Sequence, residues 1–313
     1  MLMAMVPQVP VLEAQAAGQT FDPGAMILGH VSNSSLTDPL IHLPTFFGID
    51  LSVTKHVFVL WMVAATVFVV ITALVQRFVR QARLVPAGPM NVLEVGVEFI
   101  QDTVIAPNIG RKWTSTWTPL ILTFFLFILA SNMVGLVPIF DVLELLNHYV
   151  VHAGEASFFS RLMHGGPVAT GNYNVTAALA TITFIATILA GTLAHGFIKH
   201  WKNLVPPGLP APLYVLLIPM EIVSMFVRPF ALTMRLAANM TGGHIAILAI
   251  LSFVFIFTKM FGTWLAGAGI GVAFSVPLAV GISGIEIIVV LVQAYVFTLL
   301  SAVFIGMAIN AHH

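Results

Sequence analysis

"RLAANMTGGHIAILAILSFVFIFTK" runs from Arg235 to Lys259, and nothing charged lies between its two ends. It belongs to an apolar block extending from about Pro212 to Lys259; a second block runs from Gly271 to Asn310. Read as helices, about 45 and 38 residues would reach roughly 68 and 57 Å at 1.5 Å per residue. A perpendicular crossing of the hydrocarbon needs only about 20 residues. Pro219 and Pro229 interrupt the first block, but no polar turn divides either one. The pattern therefore predicts two long, steeply tilted and bent helices forming a hairpin rather than four short spans.

The rest of the chain fits a membrane. Of its 313 residues, 59% are hydrophobic and 8% charged, and the mean hydropathy is +1.01. Soluble domains carry roughly 25% charged residues, so there are too few charges here to cover a soluble surface. The formal net charge is zero, which gives no footprint for nucleic acid. Cysteine is absent, so disulfides, thiolate metal sites and thiol chemistry are excluded.

Residues 1–50 read as a polar extramembrane arm. The first residues have no basic region and are broken by Pro7 and Pro10, which argues against a cleaved signal peptide. The remainder, 51–313, reads as an all-α membrane domain with spans at about 57–78, 116–140, 173–199, 212–260 and 271–310. Between the first two spans, "PMNVLEVGVEFIQDTVIAP" predicts an interfacial amphipathic helix over 90–106. Its acids Glu94, Glu98 and Asp102 recur every four residues, as on one solvated face. Arg77, Arg80, Arg83, Arg111, Lys112, Lys199 and Lys202 fall on one side under this topology. The positive-inside rule then puts the N-terminus outside and the C-terminus in the cytoplasm, after five crossings.

The polar groups inside the last two spans carry the chemistry. An embedded charge costs at least about 2.5 kcal/mol, so Arg235 needs a partner or a purpose. Glu221, Ser224, Arg228 and Arg235 lie within about 60° of one another on an ideal helix, and Asn239 extends the seam. Glu286 and Gln293, seven residues apart, share a face of the last helix. If Gln293 lies level with Arg235, Glu286 is about 10 Å and His244 about 13 Å further out, while Glu221 is about 21 Å toward the inside. His244 stands half a turn out of phase with Arg235, and Gly242-Gly243 is the place where a helix distortion would bring it round. Arg228 and Lys259 read as snorkelling residues. Glu144, His148 and His152 read as one face of a surface helix in loop 141–172 rather than a zinc site, for want of a third firm ligand.

These residues resemble subunit a of the membrane sector of F-type ATP synthases. "PMEIVSMFVRPFALTMRLAANMTGGH" is similar to the family's long helix and "VLVQAYVFTLLS" to its last one; "STWTPLILTFFLFILASNMVGLVPI" and "TGNYNVTAALA" resemble earlier spans. The resemblance covers about 90–313 well and the first span more loosely. It implies a proton-channel subunit in a bacterial plasma (inner) membrane, partnered by a ring of c subunits, by the peripheral-stalk b subunits and by lipid, within the whole synthase. It implies no cofactor or metal and no catalytic site beyond translocation. Arg235 would be the essential charge facing the ring, Gln293 the glutamine opposite it, and Glu221 the inner half-channel acid with Ser224 beside it. His244 and Glu286 would relay protons on the outer side, their residue types exchanged relative to some members. Ala231 stands where some members carry serine. A stand-alone secondary transporter or channel is the alternative, but it usually has internal repeats and none is visible here.

Overall fold

The computed structural model describes residues 24, 41, 43–44, 52–81, 88–136, 169–202, 210–261 and 264–310. Most of the N-terminal arm, the loop 137–168 with Glu144, His148 and His152, and the three terminal residues lie outside them. The described chain is helical, apart from a single bridge between Ile41 and Val53. In order come α1 (Lys55–Arg80), α2 (Pro89–Ile100), a π turn (Gln101–Ile105), α3 (Ala106–Ile109), α4 (Arg111–Leu136), a 3-10 turn (Ala169–Gly171), α5 (Tyr173–His195), α6 (Phe197–Lys202), α7 (Ala211–Phe261) and α8 (Trp264–Ile309). Five helices, α1, α4, α5, α7 and α8, are long and apolar enough to cross a membrane.

The two apolar blocks are single helices of 51 and 46 residues that run through Pro219, Pro229 and Pro277. The break between them is narrower than expected. The second block was expected to begin at Gly271, but α8 begins at Trp264 and takes in the glycines of "GAGIG". Gly267 packs on the backbone of Thr258, where an added Cβ would lie 2.7 Å from the Phe257 carbonyl. At Gly271, one turn on, an added Cβ would lie 2.6 Å from the Val254 Cα. Small residues four apart let two helix backbones approach closely in lipid. The third span also differs: Gly196, at φ 83°, ends α5 at His195, and the separate short helix α6 follows from Phe197. Its His200 ring fills the place a Cβ on Gly191 would take. Burial, and secondly the neighbouring His195, lower the pKa of His200 and keep it neutral.

The chain divides into two compact units, one containing His244–Ile282, the other Asn33–Gly243 and Ser283–His313. In the second unit, Ile100, Val104, Ile105 and Ile109 bury against Trp117 and Ile121 of α4, Ala186 and Ala190 of α5, and Ile305 of α8. The acids Glu94, Glu98 and Asp102 are all exposed, as their spacing predicts. The π turn comes just before Pro107, whose missing N–H cannot hold the regular ladder. The end of α8 is tied down here: Asn310 donates to the Asn108 carbonyl at 3.3 Å, and His195 Nε2 lies 2.9 Å from the Ile309 carbonyl. A second core joins Phe124 and Ile128 of α4, Leu179 and Ala180 of α5, Leu232 and Leu236 of α7, and Ala294 and Phe297 of α8. That core takes in Leu232 and Leu236, which flank Arg235 in sequence.

Candidate functional site

On α7 the sequence predicts one polar seam, and the structure splits it in two. Glu221, Ser224 and Arg228 are half-buried on one flank. Further along, Leu232, Leu236 and Met240 take the buried positions, at 1–2% exposure, and leave Arg235 and Asn239 on the exposed side. Steps of four residues advance about 40° around a helix, so the buried row drifts as it climbs. His244 is the next residue on that row and is half-buried. Its half-turn offset from Arg235 follows from this drift. No distortion at Gly242-Gly243 is needed, since α7 is continuous there.

Gly243 serves a different purpose. A Cβ on it would lie 2.6 Å from Glu286 Oε1 and 3.1 Å from its Cδ. Only glycine lets the carboxylate of α8 rest against the α7 backbone at this point. The contact also fixes the register. Gly243 is eight residues past Arg235 and Glu286 seven before Gln293, which agrees within one residue with Gln293 level with Arg235. Glu286 and Gln293 are 5% and 6% exposed, buried within their unit. Among the described residues Arg235 and Gln293 form no hydrogen bond with each other, and Arg235 has no ion pair.

The first part of α7 holds a pair that the sequence reading missed. Arg228 Nη2 donates to Glu221 Oε1 at 3.2 Å, with the two side chains 30% and 37% exposed. Seven residues is two turns on one face, so the spacing carried the signal; reading Arg228 as a snorkelling residue hid it.

A second missed group lies at the other end of α4. The Thr170 hydroxyl donates to Asn132 Oδ1 at 2.6 Å, and the Thr241 hydroxyl of α7 donates to the Gly171 carbonyl at 3.3 Å. Asn132 and Ser131 are fully buried, yet Asn132 Nδ2 and Ser131 Oγ find no acceptor among the described residues. Buried donors of this kind in native proteins commonly bind water. The Ser-Asn pair at the end of an apolar run was the available signal.

The apolar spans thus carry a buried acid, Glu286, an exposed guanidinium, Arg235, and two further polar clusters. A family model described as "ATP synthase A chain" matches residues 57–306. The chain belongs to that family. It is 37% identical to ATP synthase subunit a 2 of Chlorobium luteolum, over 99% of this chain and 82% of the relative. It is equally identical to ATP synthase subunit a of Chlorobium phaeobacteroides, over 97% and 80%. A more distant relative, ATP synthase subunit a of an Anaeromyxobacter species, is 35% identical over 91% of this chain and 60% of its own length. The chain is thus an integral membrane protein of the bacterial membrane and a membrane-sector subunit of an F-type ATP synthase.

Proposed function

We propose that this subunit carries protons between the two sides of the membrane through two half-channels that meet at the ring of c subunits. The observation that carries this reading is the placement of Arg235. Its guanidinium is on the exposed side of α7, backed by buried Leu232 and Leu236, without an ion-pair partner among the described residues. A charge so placed at membrane depth calls for a partner from another chain. A carboxylate on the ring supplies it, and Asn239, one turn on and also exposed, lies along the same contact. A stand-alone transporter would have to satisfy Arg235 within itself.

In this reading the outer half-channel uses Glu286 and His244, with Ser131, Asn132 and Thr170 offering hydrogen bonds to water on the way. Histidine titrates near neutral pH and suits a relay. The inner half-channel uses Glu221 and Ser224. Gln293 lies at the level of Arg235 and orients groups there. Arginine keeps its proton, so Arg235 relays nothing. Instead it favours the ionised form of each ring carboxylate that reaches it, and its charge blocks a direct leak between the half-channels. The b subunits of the peripheral stalk hold this subunit against the turning ring. Each proton crossing 100 mV releases about 2.3 kcal/mol.

Oxidative cross-linking tests the ring contact. The chain has no native cysteine, so a cysteine at Asn239 and another beside the ring carboxylate should form a disulfide in the assembled complex. Absence of the cross-link in assembled, active complex would rule this orientation out. Orientation in the membrane is checked by cysteine labelling: Ser34→Cys and Ser157→Cys should react from outside, Gln81→Cys and Asn203→Cys only from inside. Outside labelling at Asn203→Cys would overturn the proposed topology. Gly243→Ala should displace the Glu286 carboxylate and cut ATP-driven proton pumping about tenfold, because reacting groups tolerate little misplacement. Unchanged pumping would show that the close approach at Gly243 has no functional weight.

A further inference from the structure

Arg228 stands two turns from Glu221, about 10 Å along the axis of α7. Its guanidinium turns back along the helix and bonds Glu221 Oε1 at 3.2 Å. The same guanidinium lies over the Phe304 ring of α8, 5.8 Å from its centroid. Behind it is a cavity of about 20 Å³ lined by Thr183, Thr187, Met225, Pro229 and Leu232, together with Arg228 and Phe304. That is room for about one water. Further in, Thr183 Oγ1 and Ser301 Oγ lie 3.1 Å apart, both buried. A snorkelling arginine keeps its head free in water. This head is held between a carboxylate of its own helix and an aromatic face of the next, a cation–π arrangement.

We infer that Arg228 is a positioning residue of the inner half-channel: it pins the Glu221 carboxylate to one place on the flank of α7 and closes the polar route into the bundle. The inference rests on the role proposed above for Glu221. An unpaired glutamate samples several rotamers, and fixing one of them takes a partner of this kind. The cavity and the Thr183–Ser301 hydroxyls would otherwise offer a proton a false path into the helix bundle. A permanent cation at the mouth of that path repels hydronium, as fixed arginines do in selective pores. The proton is thereby left with the aqueous side of Glu221.

The test uses the assembled synthase in inverted vesicles and reads proton pumping relative to ATP hydrolysis. Arg228→Met keeps the stem and removes the charge; its pumping ratio should fall about fivefold, and adding it to Glu221→Gln should cost little beyond Glu221→Gln alone, because a positioning residue acts through the group it positions. Arg228→Lys keeps a cation and should recover at least half of the wild-type ratio. A wild-type ratio in Arg228→Met, or losses that multiply in the double variant, would overturn the inference. If Arg228→Met does not assemble, the exchange Glu221→Arg with Arg228→Glu carries the test. It rebuilds the pair but moves the carboxylate two turns. Assembly with a low pumping ratio supports positioning; a full ratio, or failure of either Arg228→Lys or the exchange to assemble, makes the role structural and removes the inference. Failure of the half-channel reading itself would appear separately, as normal coupling in Arg235→Ala.

Discussion

Arg235→Ala is expected to abolish proton-driven ATP synthesis while the complex still assembles. Removing the side chain disturbs little packing, because Arg235 lies on the exposed side of α7 and the buried row beside it is Leu232, Leu236 and Met240. What it removes is the charge that makes a ring carboxylate release its proton. A cation within reach lowers a carboxyl pKa by about 1–3 units, so the deprotonation equilibrium should weaken by about ten- to a thousandfold. Passive proton conductance should rise, since the fixed charge between the half-channels is gone. Arg235→Lys should fail substantially as well: its ammonium is a compact point charge that loses its proton when desolvated, whereas guanidinium does not. ATP synthesis driven by an imposed proton gradient measures the loss, and dissipation of that gradient without ADP measures the leak. Normal coupled synthesis in the alanine variant would end the proposed mechanism.

Much of this was legible in the sequence, and the reasons are physical. Hydrocarbon imposes length and composition on a span, so five crossings, the interfacial helix and the two very long helices could all be read from the run of apolar residues. The embedded charges stood out because lipid makes them costly. Facing was harder to read. The ideal-helix projection put Arg235 on the same face as Glu221 and Arg228, but packing follows the Leu232–Leu236–Met240 row, which drifts around the helix and leaves Arg235 outside. Glycines misled in a similar way. Gly242-Gly243 reads as a place for a helix distortion in sequence, whereas Gly243, like Gly267 and Gly271, marks a place where another chain segment presses on a helix backbone. Such contacts depend on the partner helix and leave no local pattern. The Asn132–Thr170 bond joins residues 38 apart, a separation that periodicity cannot span.

The exchange of His244 and Glu286 should give the second large effect. Gly243, the residue before His244 in sequence, receives the Glu286 carboxylate, and the proposed outer half-channel uses both titratable residues. Both stand outward of Arg235 under the proposed topology. In the proposed relay, imidazole and carboxyl would each set how readily the other holds a proton. His244→Ala or Glu286→Ala should each slow ATP-driven pumping about tenfold, leaving the remaining group with a changed proton affinity. His244→Glu alone places two acids in that relay, and Glu286→His alone two imidazoles; like groups disfavour sharing charge, so both should pump poorly. The double variant restores one acid and one imidazole. It should recover more activity than either single exchange, although not all of it, because the ring of a histidine at 286 must occupy the space that Gly243 leaves for a flat carboxylate. Pumping in inverted vesicles, normalised to ATP hydrolysis, is measured for the four combinations. Recovery in the double variant beyond the product of the single effects means that the residues act as one proton site. Effects that merely multiply would mean that they act independently, and Glu286 against Gly243 would then be the outer relay without His244.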